Sequence, residues 1–102
     1  MNEDFNIISW IFLSIAMGSQ LEPITFEGIS LIPDGINHSV PNQKEINSSI
    51  SYLLKNDLVI KNEKKYSLSE NGKEIYLKSS NENKTILKIW ENIETTLLLL
   101  NK

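Results

Sequence analysis

PNQKEINSSISYLLKNDLVIKNEKKYSL, residues 41–68, is the stretch whose reading decides the fold. Asn42 stands where a helix N-cap is wanted, and Glu45 follows three residues later, the spacing of a capping box. Ile46, Ile50, Leu53 and Leu54 then recur at i, i+4, i+7 and i+8, one apolar stripe of a 3.6-residue period. Asn56-Asp57 end that helix. Leu58-Val59-Ile60-Lys61 and Lys65-Tyr66-Ser67-Leu68 flank the polar triplet Asn62-Glu63-Lys64, so two strands joined by a short turn are expected.

A capped helix running straight into a hairpin resembles the recognition helix and wing of the winged helix-turn-helix family. Ser69-Glu70-Asn71-Gly72 matches that family's re-entry into a helix after the wing. Asp34, Asn37, His38 and Pro41 resemble an Asp-x-x-Asn-His turn followed by Pro that a group of small bacterial winged-helix proteins shares. The arrangement is similar to compact regulators of the MarR and PadR kind, and the likeness covers roughly residues 23–78. It implies an α+β fold: mainly helical, with a small antiparallel wing and an added C-terminal helix. The 102 residues suffice for one domain, made of an N-terminal helix (1–22), the helix-turn-helix and wing (23–78) and a C-terminal dimerisation helix (81–102).

Outward from the deciding stretch, Asp4 to Met17 reads as a helix with apolar residues around nearly its whole circumference, which must be covered on more than one side. Glu22-Pro23-Ile24 reads as extended, since proline disfavours helix in the residue before it. Ile24 is expected as a third strand beside the wing and Thr25 as the cap of a second helix carrying Phe26, Ile29, Leu31, Ile32 and Ile36. Pro33 is expected to kink that helix. Asn37 is expected at its C-cap, and Val40 or Pro41 as a staple against Ile46. After the wing, Ser69 is expected to cap a helix to Ser79, and Asn81 to cap a last one to Leu100. In that last helix Ile86, Trp90, Ile93, Leu97 and Leu100 alternate by 4, 3, 4 and 3, a heptad seam. Together with Ile8 and Phe12 of the first helix, that seam is the expected interface of a homodimer.

Composition narrows the functions. With 40% hydrophobic and 23% charged residues, the chain is globular in type rather than disordered. It has no cysteine, which excludes a disulfide framework and Cys-based zinc or nucleophilic chemistry. The apolar run Ile7–Met17 is about half the roughly 20 residues of a membrane span, and acidic Asn2-Glu3-Asp4 is unlike the basic start of a signal peptide. No membrane association and a cytoplasmic location are therefore expected. His38, the single histidine, lies four residues after Asp34; two such groups do not complete a tetrahedral metal site, and capping is the simpler role. Glycines 18, 28, 35 and 72 are isolated, so no phosphate-cradling loop is expected, and Ser48, Ser49 and Ser51 have no candidate base nearby, the single His lying in the turn before their helix. Glu70/Glu74 and Glu91/Glu94 read as solvated. Neither an enzyme nor a cofactor is expected.

The net charge of −3 is unevenly spread. Residues 41–79 hold Lys44, Lys55, Lys61, Lys64, Lys65, Lys73 and Lys78 against five acids, whereas residues 1–40 hold no Lys or Arg. Removing the apolar stripe of the capped helix leaves Gln43, Lys44, Asn47, Ser48, Ser51 and Lys55 outward. In the winged-helix family such residues reach base edges in the major groove, and Lys61, Lys64 and Lys65 of the wing would meet flanking phosphates. The resemblance thus implies a DNA-binding transcriptional regulator. Against it stand the acidic total and the absence of Arg, the residue of the commonest specific base contact. The alternative is a protein-interaction module that uses the same helix and wing on another protein.

Overall fold

Helix α1 (Phe5–Gly18) buries nine consecutive residues, Ile8 to Ala16, more than two full turns. The computed structural model of the chain describes residues 5–20, 22–31, 42–82 and 85–100. Within them α1 is the hub, packed between helices α3 (Gln43–Lys55) and α5 (Ile86–Leu100), with further contacts to α2 (Phe26–Leu31) and α4 (Glu70–Glu82). An α-helix apolar on every side is stable in water only when it is enclosed in this way. Its two buried serines are satisfied locally: Ser9 Oγ donates to the Phe5 carbonyl at 2.7 Å and Ser14 Oγ to the Trp10 carbonyl at 2.9 Å.

The caps expected at Thr25, Asn42 and Ser69 form. Thr25 Oγ1 accepts from the Gly28 N–H at 3.1 Å, starting α2, whose Ile29 is fully buried. At α3, Asn42 Oδ1 accepts from the Glu45 N–H at 2.7 Å and the Asn42 N–H donates to Glu45 Oε1 at 2.9 Å, a complete capping box. Ile46, Ile50 and Leu53 face the core. Asn56 closes α3 by donating its N–H to the Tyr52 carbonyl, and Asp57 turns the chain at φ 58, a left-handed conformation that Asp tolerates.

Three short antiparallel strands follow in the order β1-β3-β2: β1 (Ile24–Thr25), β2 (Val59–Asn62) and β3 (Lys65–Leu68). Ile24 pairs with Tyr66, so the expected third strand forms, and Val59 pairs with Leu68 within the hairpin. The turn is one residue shorter than expected. Asn62 belongs to β2, opposite Lys65, and the loop is Glu63-Lys64 alone. Two-residue turns with left-handed residues match the twist of the flanking strands; here Glu63, at φ 61, supplies that conformation without glycine.

Ser69 caps α4 by accepting from the Gly72 N–H at 3.1 Å, and its hydroxyl also donates to the Asp57 carbonyl. A Cβ at Gly72 would collide with the Leu58 carbonyl oxygen, so the start of α4 rests directly on the α3–β2 link. The expected break at Ser79-Ser80-Asn81 does not occur, and Asn81 is not a cap. The helix runs through to Glu82 because Ser80 Oγ donates to the Leu77 carbonyl and buried Ser79 Oγ bonds Asn92 Oδ1. Thr85 caps α5 instead, accepting from the Lys88 N–H at 3.3 Å.

The seam of α5 packs on α1 of the same chain. Trp90, Ile93 and Leu97 are buried there, as are Ile8 and Phe12, in one contiguous core shared by α1, α2, α3, α5 and the sheet. Of the seven residues expected at a dimer interface, Ile86 and Leu100 alone are exposed. Glu94, expected in solvent, is half-buried and its Oε1 accepts from Asn6 Nδ2. Among the described residues no helix is long and apolar enough to cross a membrane. The kink at Pro33, the cap at Asn37, the staple from Val40 or Pro41 and the Asp34/His38 pair lie outside the described residues.

Candidate nucleic-acid interface

The stripe that pins α3 to α1 determines what α3 shows to solvent. With Ile46, Ser49, Ile50 and Leu53 turned inward, Gln43, Lys44, Asn47, Ser48, Ser51 and Lys55 are all exposed and occupy one continuous face on the opposite side. The capping box fixes where that face begins, because it sets the first helical residue at Gln43. Phe5 braces the helix from behind, its ring meeting Tyr52 edge-on at 5.5 Å between centroids.

The three-residue link Asn56–Leu58 leads from this face into the hairpin. Val59 of β2 and Tyr66 and Leu68 of β3 point into the core, which leaves Lys61, Lys64 and Lys65 exposed around the hairpin's end. Lys61 lies opposite Tyr66, with Nζ 5.7 Å from the ring centroid, so its stem is held against the sheet while its charge stays in water. Among the described residues the single ion pair is Lys88–Glu91, on α5, so none of these lysines is neutralised by a carboxylate. Glu45, the acid nearest the helix start, has its carboxylate occupied by the Asn42 N–H.

The nine expected contact residues therefore form two groups, six on one helix face and three at the end of the adjoining hairpin. Chemically, the amides of Gln43 and Asn47 each offer a paired donor and acceptor, the serines offer hydroxyls, and the lysines offer positive charge. No group of three or more potential metal-ligating side chains occurs among the described residues.

One feature was not legible in the sequence: a cavity of about 590 Å³ between the C-terminal half of α3, α4 and the end of α5. Its walls come from three helices separated in the chain, so no local spacing marks it. Compared with protein-family models, with curated proteins and with solved structures, the chain matches none.

Proposed function

We propose that the chain has a winged helix-turn-helix fold and acts as a homodimeric, DNA-binding transcriptional regulator. The observation that carries this reading is the continuity of capped α3, a three-residue link and a hairpin whose inner strand also pairs with β1, with the polar face of α3 wholly exposed. In this proposal α3 enters the major groove. Gln43 and Asn47 pair with adenine edges, Ser48 and Ser51 with either base type, and Lys44 and Lys55 with guanine or phosphate. Lys61, Lys64 and Lys65 hold the flanking backbone and set the register.

A two-fold pair doubles the local lysine excess, which answers the net charge of −3, and presents two copies of α3 to a palindromic site. The surface available for pairing differs from the buried seam. Leu87, Leu98 and Leu99, with Ile86 and Leu100, are the apolar residues that α5 leaves in solvent. In this proposal these exposed residues, at the two ends of α5, supply the apolar contacts between copies.

The absence of Arg favours a second reading, in which α3 and the hairpin dock on another protein. Fluorescence anisotropy with labelled genomic DNA fragments at about 50 and 200 mM salt separates the two, since phosphate contacts lose affinity steeply over that range. Salt-sensitive binding supports the DNA reading, and its absence at low salt removes it. Light scattering at micromolar concentrations tests the dimer separately; the mass of one chain throughout would rule it out.

A further inference from the structure

The cavity between α3, α4 and α5 has an apolar floor and a charged rim. Leu58 and Leu97 are buried beneath it and Ile75 is half-buried beside them. Glu74 and Lys78 line it from α4, four residues apart, so both project from the same face of that helix. Opposite charges at this spacing on an exposed helix face attract each other only weakly, and among the described residues neither takes part in an ion pair, so both are available to a ligand. Two amides complete the rim. Asn71 directs Nδ2 to Asp57 Oδ2 and Asn56 directs Nδ2 to the Tyr52 carbonyl, which leaves both amide oxygens open to accept.

We propose that this cavity binds an apolar or aromatic α-amino acid as its zwitterion. The ammonium group is held by Glu74 with the Asn71 amide oxygen, the carboxylate by Lys78, and the side chain lies on Leu58, Ile75 and Leu97. Two charges one helical turn apart, about 5–6 Å between Cβ atoms, straddle the adjacent ammonium and carboxylate of such a molecule. A volume of about 590 Å³ lies within the usual range for small-molecule sites and admits an aromatic side chain. A wholly apolar ligand would gain nothing from the charged rim, and a ligand with one charge would use half of it. The inference does not depend on DNA binding, because none of the nine contact residues lines the cavity and ligand binding is read out without DNA.

The test uses the full chain and three probes: L-phenylalanine, phenethylamine, which lacks the carboxylate, and 3-phenylpropionate, which lacks the ammonium. Amide chemical shifts of Asn71, Ile75 and Thr96 report binding. Phenylalanine should shift them saturably, and each analogue should bind at least about tenfold more weakly, the loss expected of a charge-assisted hydrogen bond. Glu74→Gln should weaken phenylalanine by a similar factor and leave 3-phenylpropionate unchanged. Lys78→Met should do the same with phenethylamine as the unaffected probe. Both residues are exposed, so the variants should keep the parent's dispersed spectrum. Equal affinity for all three probes, or no saturable shift with phenylalanine, would overturn the proposal.

Discussion

Trp10 and Trp90, near opposite ends of the sequence, face each other with ring centroids 6.0 Å apart and planes tilted by 31°. The Trp90 indole N–H donates to both the Asn6 carbonyl and Ser9 Oγ at 3.0 Å, fixing α5 against the first turns of α1. Trp90→Phe keeps an aromatic ring and removes that donor, so it should cost about 1–3 kcal/mol, read as a lower urea midpoint with an unchanged slope. Trp90→Asp places an unpaired charge in the core and should abolish the folded circular dichroism signal outright.

The capping box should act as a unit. Asn42→Ala is expected to lower stability by about 1 kcal/mol. Glu45→Ala should cost less, because it removes one exposed hydrogen bond. Since the two side chains bond reciprocally across the same helix start, the double variant should cost less than the sum of the singles. A denaturant double-mutant cycle measures the difference.

Glu63 sits in a left-handed turn position that costs an L-residue about 1 kcal/mol. Glu63→Gly relieves that cost at the hairpin while adding freedom to the unfolded chain, so a net gain of a few tenths to about 1 kcal/mol is expected. Thermal unfolding should show a raised midpoint. A lowered one would mean that the Glu63 side chain contributes more to the turn than its backbone costs.

Under the DNA-binding proposal, Lys64→Ala should weaken binding to every fragment alike and reduce the salt slope by about one unit. Lys88→Ala removes the same charge from α5, where Lys88 already pairs with Glu91, and should leave the slope unaltered. Asn47→Ala should instead narrow the difference between preferred and other fragments. Anisotropy titrations over several salt concentrations distinguish these patterns.

What the sequence revealed correctly is local. Asn42 with Glu45, Thr25 with Gly28 and Ser69 with Gly72 each bond within three residues, so spacing alone exposes them. In β3 the two-residue period likewise puts Tyr66 and Leu68 on one face, the buried one. The misreadings arose where a distant partner decides. Ser79 reads as a helix breaker until Asn92 satisfies its hydroxyl, and Thr85 outcompetes Asn81 as a cap because α4 does not stop there. The 90, 93, 97 stripe had to be covered, but periodicity cannot say whether a second chain or α1 covers it. The six outward residues of α3 were legible as a face, since the apolar stripe opposite defines them, whereas the three-helix cavity had no local signature at all.

The enclosure of α1 by α5 has a consequence for the order of events on the ribosome. Helix α1 is apolar all round, precedes α5 in the chain and acquires its second wall only when residues 86–100 have emerged. At about 5–20 residues per second, the nascent chain carries Trp10, Phe12 and their neighbours uncovered for several seconds, an interval suited to chaperone capture or aggregation. A chain cut back to residue 84 should make that state permanent, binding a dye specific for exposed apolar surface that the intact chain ignores.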